Sequence, residues 1–474
     1  MREYLYKQAL HPTPSDESLP SCWCVPDRSE DVRSRQHVRD LIDDPGHVAC
    51  TIGVLVLLSR LTQCPFAVRS GGHAAFQGAS SEEDGITVSL SRLNQVTVAR
   101  DRKTVKVGSG NVWGLVYSVL DKQGLTVPGG RDANVGVGGL SLGGGISYFA
   151  GSVGMTVDNI ESYELVTASG IPITVTANGL YSDLYWALRG GGNNFGIVIS
   201  YTYPAIERND VWGGSRAYMA DQWPAVISAY ISGAKAEDEH FNQIISFARA
   251  SDTLRIANAQ IYYSLPEPGD VVEPYLAIPN NLSDTYGTKT VSELAIELSQ
   301  DSPNGDRQIW HIQAAQIDEE LFTSLVDIFD SEVDAVYDQV NAFAPAMVCQ
   351  HIDRNILSHM KKNGGNPLGI ADSPPLMLYF FSGRWDDAAD DQVVYDLTKR
   401  VAAKWKAETQ KHGLASDYLY LNYASRFQDP ISSYGASNKA RLVKIAKQYD
   451  PTGVFQELMP GGFKLNGTPN DLLE

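Results

Sequence analysis

The chain has 474 residues, and its 38 basic against 56 acidic side chains give a formal charge of −18. That balance speaks against a nucleic-acid partner, which needs a surface that neutralises phosphates, and the length predicts two or three packing units rather than one. No apolar run reaches the roughly 18 residues of a transmembrane helix, so no membrane partner is expected, and the five cysteines are too scattered for a disulfide framework.

From the N-terminus, MREYLYKQALHPTPSDESLP carries no apolar core. No secretory leader is visible, and the cytoplasm is the expected location. Cys22 and Cys24 stand too close for a zinc pair. The run Val48–Leu58 predicts a buried helix. Short β-rich runs follow at 86–90, 104–108, 171–175 and 196–200, punctuated by Gly and Asn. Between them, Trp113, Val116, Tyr117 and Leu120 form a helical stripe that Asn111 is placed to cap and Gly124 to end.

From about residue 207 the texture changes. Helical stripes run through Trp223, Val226, Ile227, Tyr230 and Ile231, through Leu321, Leu325, Ile328 and Phe329, and through Val393, Val394, Leu397, Val401 and Ala402. Strand-like runs lie between them, at 260–263 and 376–381. This predicts helices covering one antiparallel sheet. The segment Tyr418–Tyr423 alternates as a strand would, and a last helix carries Leu442, Ile445, Ala446 and Tyr449 before Asp450-Pro451 stops it.

Three glycine-rich segments carry the chemistry. Arg69-Ser-Gly-Gly-His73 follows a strand-like run; its N–H groups can converge on an anion, with Arg69 adding a charge, or it is simply a tight turn. Residues 127–145 hold eight glycines interspersed with Val and Leu, a pattern that suits backbone pressed against a large flat or phosphorylated ligand. Leu188-Arg-Gly-Gly-Gly-Asn-Asn-Phe-Gly196 is the third. The G-x-G-x-x-G, P-loop, H-E-x-x-H and G-x-S-x-G patterns are all missing, so the ligand is held in a non-Rossmann way and no metal is expected. His311, His351, His359 and His412 share no ligand spacing, and Trp310, Trp385 and Trp405 read as core.

PFAVRSGGH (65–73), VPGGRDANVGVGGLSLGGGIS (127–147), DLYWALRGGGNNFGIV (183–198), YLNYA (420–424), YDPTGVFQ (449–456) and PGGFKL (460–465) occur in that order. Together they resemble the flavin-linked oxidoreductases of the vanillyl-alcohol-oxidase superfamily, in its berberine-bridge-enzyme-like branch of fungal type. The resemblance implies an α+β fold: a two-part PCMH-type FAD-binding domain with an α+β substrate domain, an antiparallel sheet covered by helices. The expected partition is 22–206 for the FAD domain, 207–415 for the substrate domain and 416–474 for a segment returning to the first.

The resemblance also implies FAD held by an 8α-histidyl bond to His73. Many relatives add a cysteinyl bond; Asp132 stands at that position here, so the attachment is expected to be monocovalent. Leu140 replaces a histidine common in relatives, and Val135 sits where oxygen access is gated. The implied cofactor-binding set is Arg69, Ser70, Gly71, Gly72, His73, Gly78, Gly130, Asp132, Val135, Gly136, Gly139, Leu140, Gly143, Gly145, Val198 and Asn422. Tyr423, and Tyr420 after it, are the expected proton acceptors, given a cationic or hydrogen-bonded neighbour; the alternative is two core tyrosines on one strand. The expected activity is oxidation of an alcohol or amine carbon of a small metabolite, with O2 as partner and H2O2 as product. A non-redox isomerase or cyclase on the same scaffold, or a non-catalytic flavin-binding protein, is the alternative. One departure stands out: 32 residues separate Val32 from Pro65, about twice the usual spacing, so residues 33–46 read as an insertion or a gene-model artefact.

Overall fold

The computed structural model describes residues 45–467 apart from positions 209, 302 and 304. The expectations for Cys22, Cys24 and most of the 33–46 segment lie outside the described residues; its last two, Pro45 and Gly46, open the first helix, α1 (Pro45–Thr62). This helix is not buried all round, as its apolar run suggested. Ala49, Ile52 and Val56 are buried, whereas Val54, Leu57, Leu58 and Leu61 are exposed. The buried three recur at helical spacing and pack with Phe66, Leu90, Leu93, Ile197 and Phe455.

Strand β1 (Phe66–Arg69) pairs in parallel with β2 (Ile86–Ser89) and delivers the chain into Ser70 and the first glycine pair. An antiparallel five-stranded sheet follows, built from β3 (Val96–Val98), β4 (Thr104–Gly108), β5 (Ser162–Val166), β6 (Pro172–Thr176) and β7 (Ile197–Pro204), in the order β3-β4-β7-β5-β6. Helix α2 (Trp113–Leu120) buries the expected stripe of Trp113, Val116, Tyr117 and Leu120. Asn111 does not cap it. Val112 holds the N-cap position, and the Asn111 amide instead donates to the carbonyls of Gly108 and Gln95. Gly124, at φ 63°, closes the turn that follows. The second glycine segment forms a short helix, α3 (Val137–Gly143).

A nine-stranded antiparallel sheet comprises β8 (Asp210–Met219), β9 (Phe241–Arg249), β10 (Arg255–Tyr263), β11 (Ser283–Asp284), β12 (Gly287–Thr290), β13 (Arg307–Gln316), β14 (Ala346–Ile352), β15 (Leu376–Trp385) and β16 (Ala415–Ser416). Its central strands run β8-β10-β9-β14-β15-β13. Side chains alternate faces along a strand, and the two faces here differ. Ile245, Phe247, Ala259, Ile261, Met347, Cys349, Tyr379 and Phe381 join a core with α4 (Trp223–Lys235), α5 (Glu319–Asp334) and α6 (Asp391–Lys411). Their neighbours in sequence, among them Ile244, Ser246, Asn258, Gln260, Val348, Gln350, Phe380 and Ser382, face a cavity. The fold is therefore mixed α and β with antiparallel sheets, one of them covered by helices.

The expected strand at Tyr418–Tyr423 does not form. Leu421–Tyr423 is a single 3-10 turn. Beyond it, α7 (Ala436–Tyr449) ends at Asp450, whose carboxylate accepts the N–H groups of Val454 and Phe455 at 2.9 and 2.8 Å. The chain then runs back to the third glycine segment, where Asn193 and Asn194 donate to the carbonyls of Gly461 and Phe463.

Candidate cofactor and substrate site

A cavity of about 620 Å³ lies between the glycine segments and the polar face of the nine-stranded sheet. Ser70, Gly71, Gly72, His73, Asp132, Val135, Gly136, Gly139, Leu140, Val198, Tyr420, Asn422 and Tyr423 all line it. The fold thus gathers residues from positions 70, 140, 198 and 420 around one space.

The other expected cofactor residues do not line it. Arg69 and Gly78 are exposed beside it. A Cβ on Gly130 would strike Trp113, one on Gly143 would fall 2.1 Å from Asn422 Oδ1, and one on Gly145 would meet Thr156. These three glycines let protein pack on protein, so the idea that the whole segment presses on a ligand needs correcting. Gly71 and Gly136 are similar: each would place a Cβ within 3 Å of the other's backbone. Gly139 is the contrast. It lines the cavity, and a Cβ there would meet nothing within 4 Å.

Ser70 ties the cradle together. Its hydroxyl donates to Ser109 O at 2.6 Å and accepts the Gly138 N–H at 3.1 Å. Among the described residues, the N–H groups of Gly71, Gly72 and His73 donate to no protein acceptor. Three successive unspent donors beside a cavity form a concavity suited to an anion. His73 stands at its edge with its Nε2 4.0 Å from Asp132 Oδ2 and its ring 6.0 Å from that of Trp310. Burial pushes the imidazole below its usual pKa, and the Asp132 carboxylate opposes this in part. The Asp132 carboxylate also accepts the Asn134 N–H at 2.7 Å.

The 3-10 turn sets the opposite wall. Three residues per turn bring positions i and i+3 to one side, so the rings of Tyr420 and Tyr423 meet edge to face at 4.9 Å. A strand would have separated them. Tyr420 is buried, and its oxygen accepts the Gly145 N–H at 2.8 Å and the Asn422 amide at 3.1 Å. Burial drives its phenol further above the usual range. Asn422 also donates to Leu140 O, bracing the turn against the glycine segment. Tyr423 is half-buried, between Trp310 at 5.4 Å and Phe380 at 4.8 Å.

The residue-by-residue reading missed Arg131. It is 4% exposed, and its guanidinium donates to Asn242 Oδ1 at 3.0 Å, to Gln350 Oε1 and to the Tyr423 hydroxyl at 3.4 Å. The carbonyl of Ala295 receives the Ala133 N–H and Tyr148 donates to Arg131 O, which fixes the loop. An arginine set among glycines, in the pair Arg131-Asp132, was the available signal. Trp310 is another correction. It is not a core residue like Trp385 and Trp405; it lines the cavity. Of the histidines, His351 is buried beside Gln243, His311 bonds Ser425, His359 reaches Gly151 O and His412 reaches Glu408.

Comparison with known proteins agrees with this geometry. Residues 51–176 match the family described as FAD binding domain, and 419–457 the one described as berberine and berberine like. The FAD-dependent monooxygenase tpcD of Cochliobolus heterostrophus is 36% identical over 435 residues, covering 88% of this chain and 83% of that protein. The chain belongs to the berberine-bridge-like family of FAD-dependent enzymes. The solved structure of a nicotine-derivative oxidase from Arthrobacter nicotinovorans shares the fold at a TM-score of 0.70 with 20% identity, covering 86% of this chain and 89% of that one. The glucooligosaccharide oxidase of Acremonium strictum, whose FAD is 6-S-cysteinyl and 8α-N1-histidyl, aligns at 0.70 and 17%, covering 89% and 90%. As a member of the family, the chain is an FAD-dependent oxidoreductase. No helix among its described residues is long and apolar enough to cross a membrane.

The residues present fit FAD. The unspent N–H groups of Gly71, Gly72 and His73 suit a pyrophosphate, and the open side of Gly139 leaves room that any other residue would fill.

Proposed function

We propose that this chain is an FAD-linked oxidase acting on an alcohol or amine carbon of a small, secondary-metabolite-type substrate. It would hold FAD through His73 alone and use O2 as the final acceptor, with H2O2 as product. The observation that carries this reading is the continuity of the cavity. An anion-binding cradle at one wall opens into a chamber closed by Trp310, Phe380, Tyr423 and Arg131. When bound, FAD supplies hydride acceptance and electron transfer to O2.

The chain's own residues supply the rest. Ser70 and the donors of 71–73 fix the diphosphate end. His73 faces the cavity, and Asp132, at the position of the second attachment in relatives, leaves it as the single anchor. Trp310 and Phe380 orient a flat substrate and exclude water. Tyr423 in its phenolate form receives the substrate proton, and the negative charge that passes to the substrate oxygen stays beside Arg131. Tyr420, tied to Gly145 and Asn422, positions the turn rather than exchanging a proton.

The test begins with acid precipitation. Yellow colour and one FAD of added mass should stay with the native polypeptide and leave with His73→Ala. Peroxide should then form in step with substrate consumed, and no oxygen from labelled O2 should enter the product. Oxygen incorporation would make the enzyme a monooxygenase, the name its curated relative carries, and protein without flavin would end the oxidase reading.

A further inference from the structure

Arg131 is a buried cation without an anion. None of the ion pairs among the described residues includes it. Its three acceptors, Asn242 Oδ1, Gln350 Oε1 and the Tyr423 oxygen, carry no charge while Tyr423 keeps its proton. A buried guanidinium served only by neutral oxygens keeps much of its desolvation cost. The two carboxylates of the cavity wall are engaged elsewhere. Asp132 accepts the Asn134 N–H and lies beside His73, and Asp301 accepts the Gln260 amide at 2.6 Å. The other wall cations are already matched, Arg249 with Asp334 and Arg384 with Asp306.

We infer that Arg131 is the substrate's anion receptor, and that the end of the substrate lying against Tyr423 is an oxygen acid: a phenol, enol, carboxylate or the hydroxyl of an alcohol. A protonated amine there would face an uncompensated guanidinium, and the site repels it. This rests on the oxidase reading for the position of the reacting end, and it narrows that reading from alcohol or amine to oxygen substrates. Asn242 belongs to the same device. It is 2% exposed, and among the described residues its Nδ2 has no hydrogen-bond partner, so only its oxygen is in use.

That unused amide nitrogen gives a clean test. Asn242→Asp replaces it with oxygen at constant size, sacrifices no hydrogen bond, and hands Arg131 an internal counter-ion. Benzoate and benzylamine are the probes, equal in ring and opposite in charge, with binding to the flavin-loaded protein read by calorimetry and by the flavin absorbance shift. The native enzyme should bind benzoate at least about tenfold more tightly than benzylamine, and Asn242→Asp should erase that ratio while melting no lower than the native protein. Arg131→Lys, which keeps the charge, should retain part of the preference. Benzylamine binding as well as benzoate in the native protein, no benzoate binding, or a ratio that Asn242→Asp leaves unchanged overturns the inference. Selective benzoate binding without peroxide from any alcohol would instead keep the inference and remove the oxidase reading, because binding and turnover are read separately.

Discussion

At the scale of single residues, the glycines of 129–145 mark the site in the sequence but do not say which of them serve a ligand. Density is visible in a sequence; the neighbour that a Cβ would strike is not. Two substitutions separate the roles. Gly71→Ala places a methyl 2.5 Å from Gly136 N, against backbone that cannot yield, and should cost at least about 1–3 kcal/mol in a denaturant titration. Gly139→Ala meets no protein atom. As an alanine inside a helix it should leave the apoprotein as stable as before or firmer by about 0.5–1 kcal/mol, yet lower the fraction of chains that carry FAD. Full flavin loading in Gly139→Ala would move the cofactor away from α3. Tyr423 is the other single-residue case. The motif named it, but not the guanidinium against its oxygen, because 292 residues separate it from Arg131. Tyr423→Phe should keep flavin and substrate affinity while the rate of anaerobic flavin reduction falls about 10²–10⁴-fold, the span of a positioned proton acceptor.

At the scale of elements, the sequence reads well where periodicity meets burial. The stripes of α2, α4, α5 and α6 turn inward as spaced, and the strand runs at 86–90, 104–108 and 376–381 are strands. It misleads where tertiary hydrogen bonds override local preference. Tyr418–Tyr423 alternates like a strand, yet Gly145 N–H, Leu140 O and the Asn422 amide draw it into a 3-10 turn. The consequence is measurable. Asn422→Ala removes donations to Leu140 O at 3.2 Å and to the Tyr420 hydroxyl at 3.1 Å. At about 0.5–1.5 kcal/mol each, the loss should be about 1–3 kcal/mol by chemical denaturation. The freed turn should also slow flavin reduction, although Asn422 carries no proton in the reaction. An unchanged reduction rate with lowered stability would confine Asn422 to the fold.

At the scale of the whole molecule, the cavity wall is what local pattern hides. Ser246, Asn258, Gln260, Gln350 and Ser382 alternate with apolar neighbours, as in any strand with one wet face. Only the packing of that face against the glycine segments makes it the lining of a site. In the returning segment Lys464 is buried, and among the described residues its ammonium has Asn193 Oδ1 as its one hydrogen-bond partner, at 3.2 Å. Desolvation drops its pKa from 10.5 to about 7. Between those values the unfolded chain holds a proton that the folded chain releases, so stability rises with pH across this window and is lost again as pH falls toward 7. One proton per chain corresponds to about 1.4 kcal/mol for each pH unit. From pH 7 to 9 the unfolding free energy should therefore climb by about 1–3 kcal/mol in urea titrations of the flavin-free chain. Lys464→Met keeps the buried stem, removes the titration and should flatten the profile. A native profile as flat as that of the variant would mean that Lys464 stays charged in the fold, with water or an anion reaching it behind the third glycine segment.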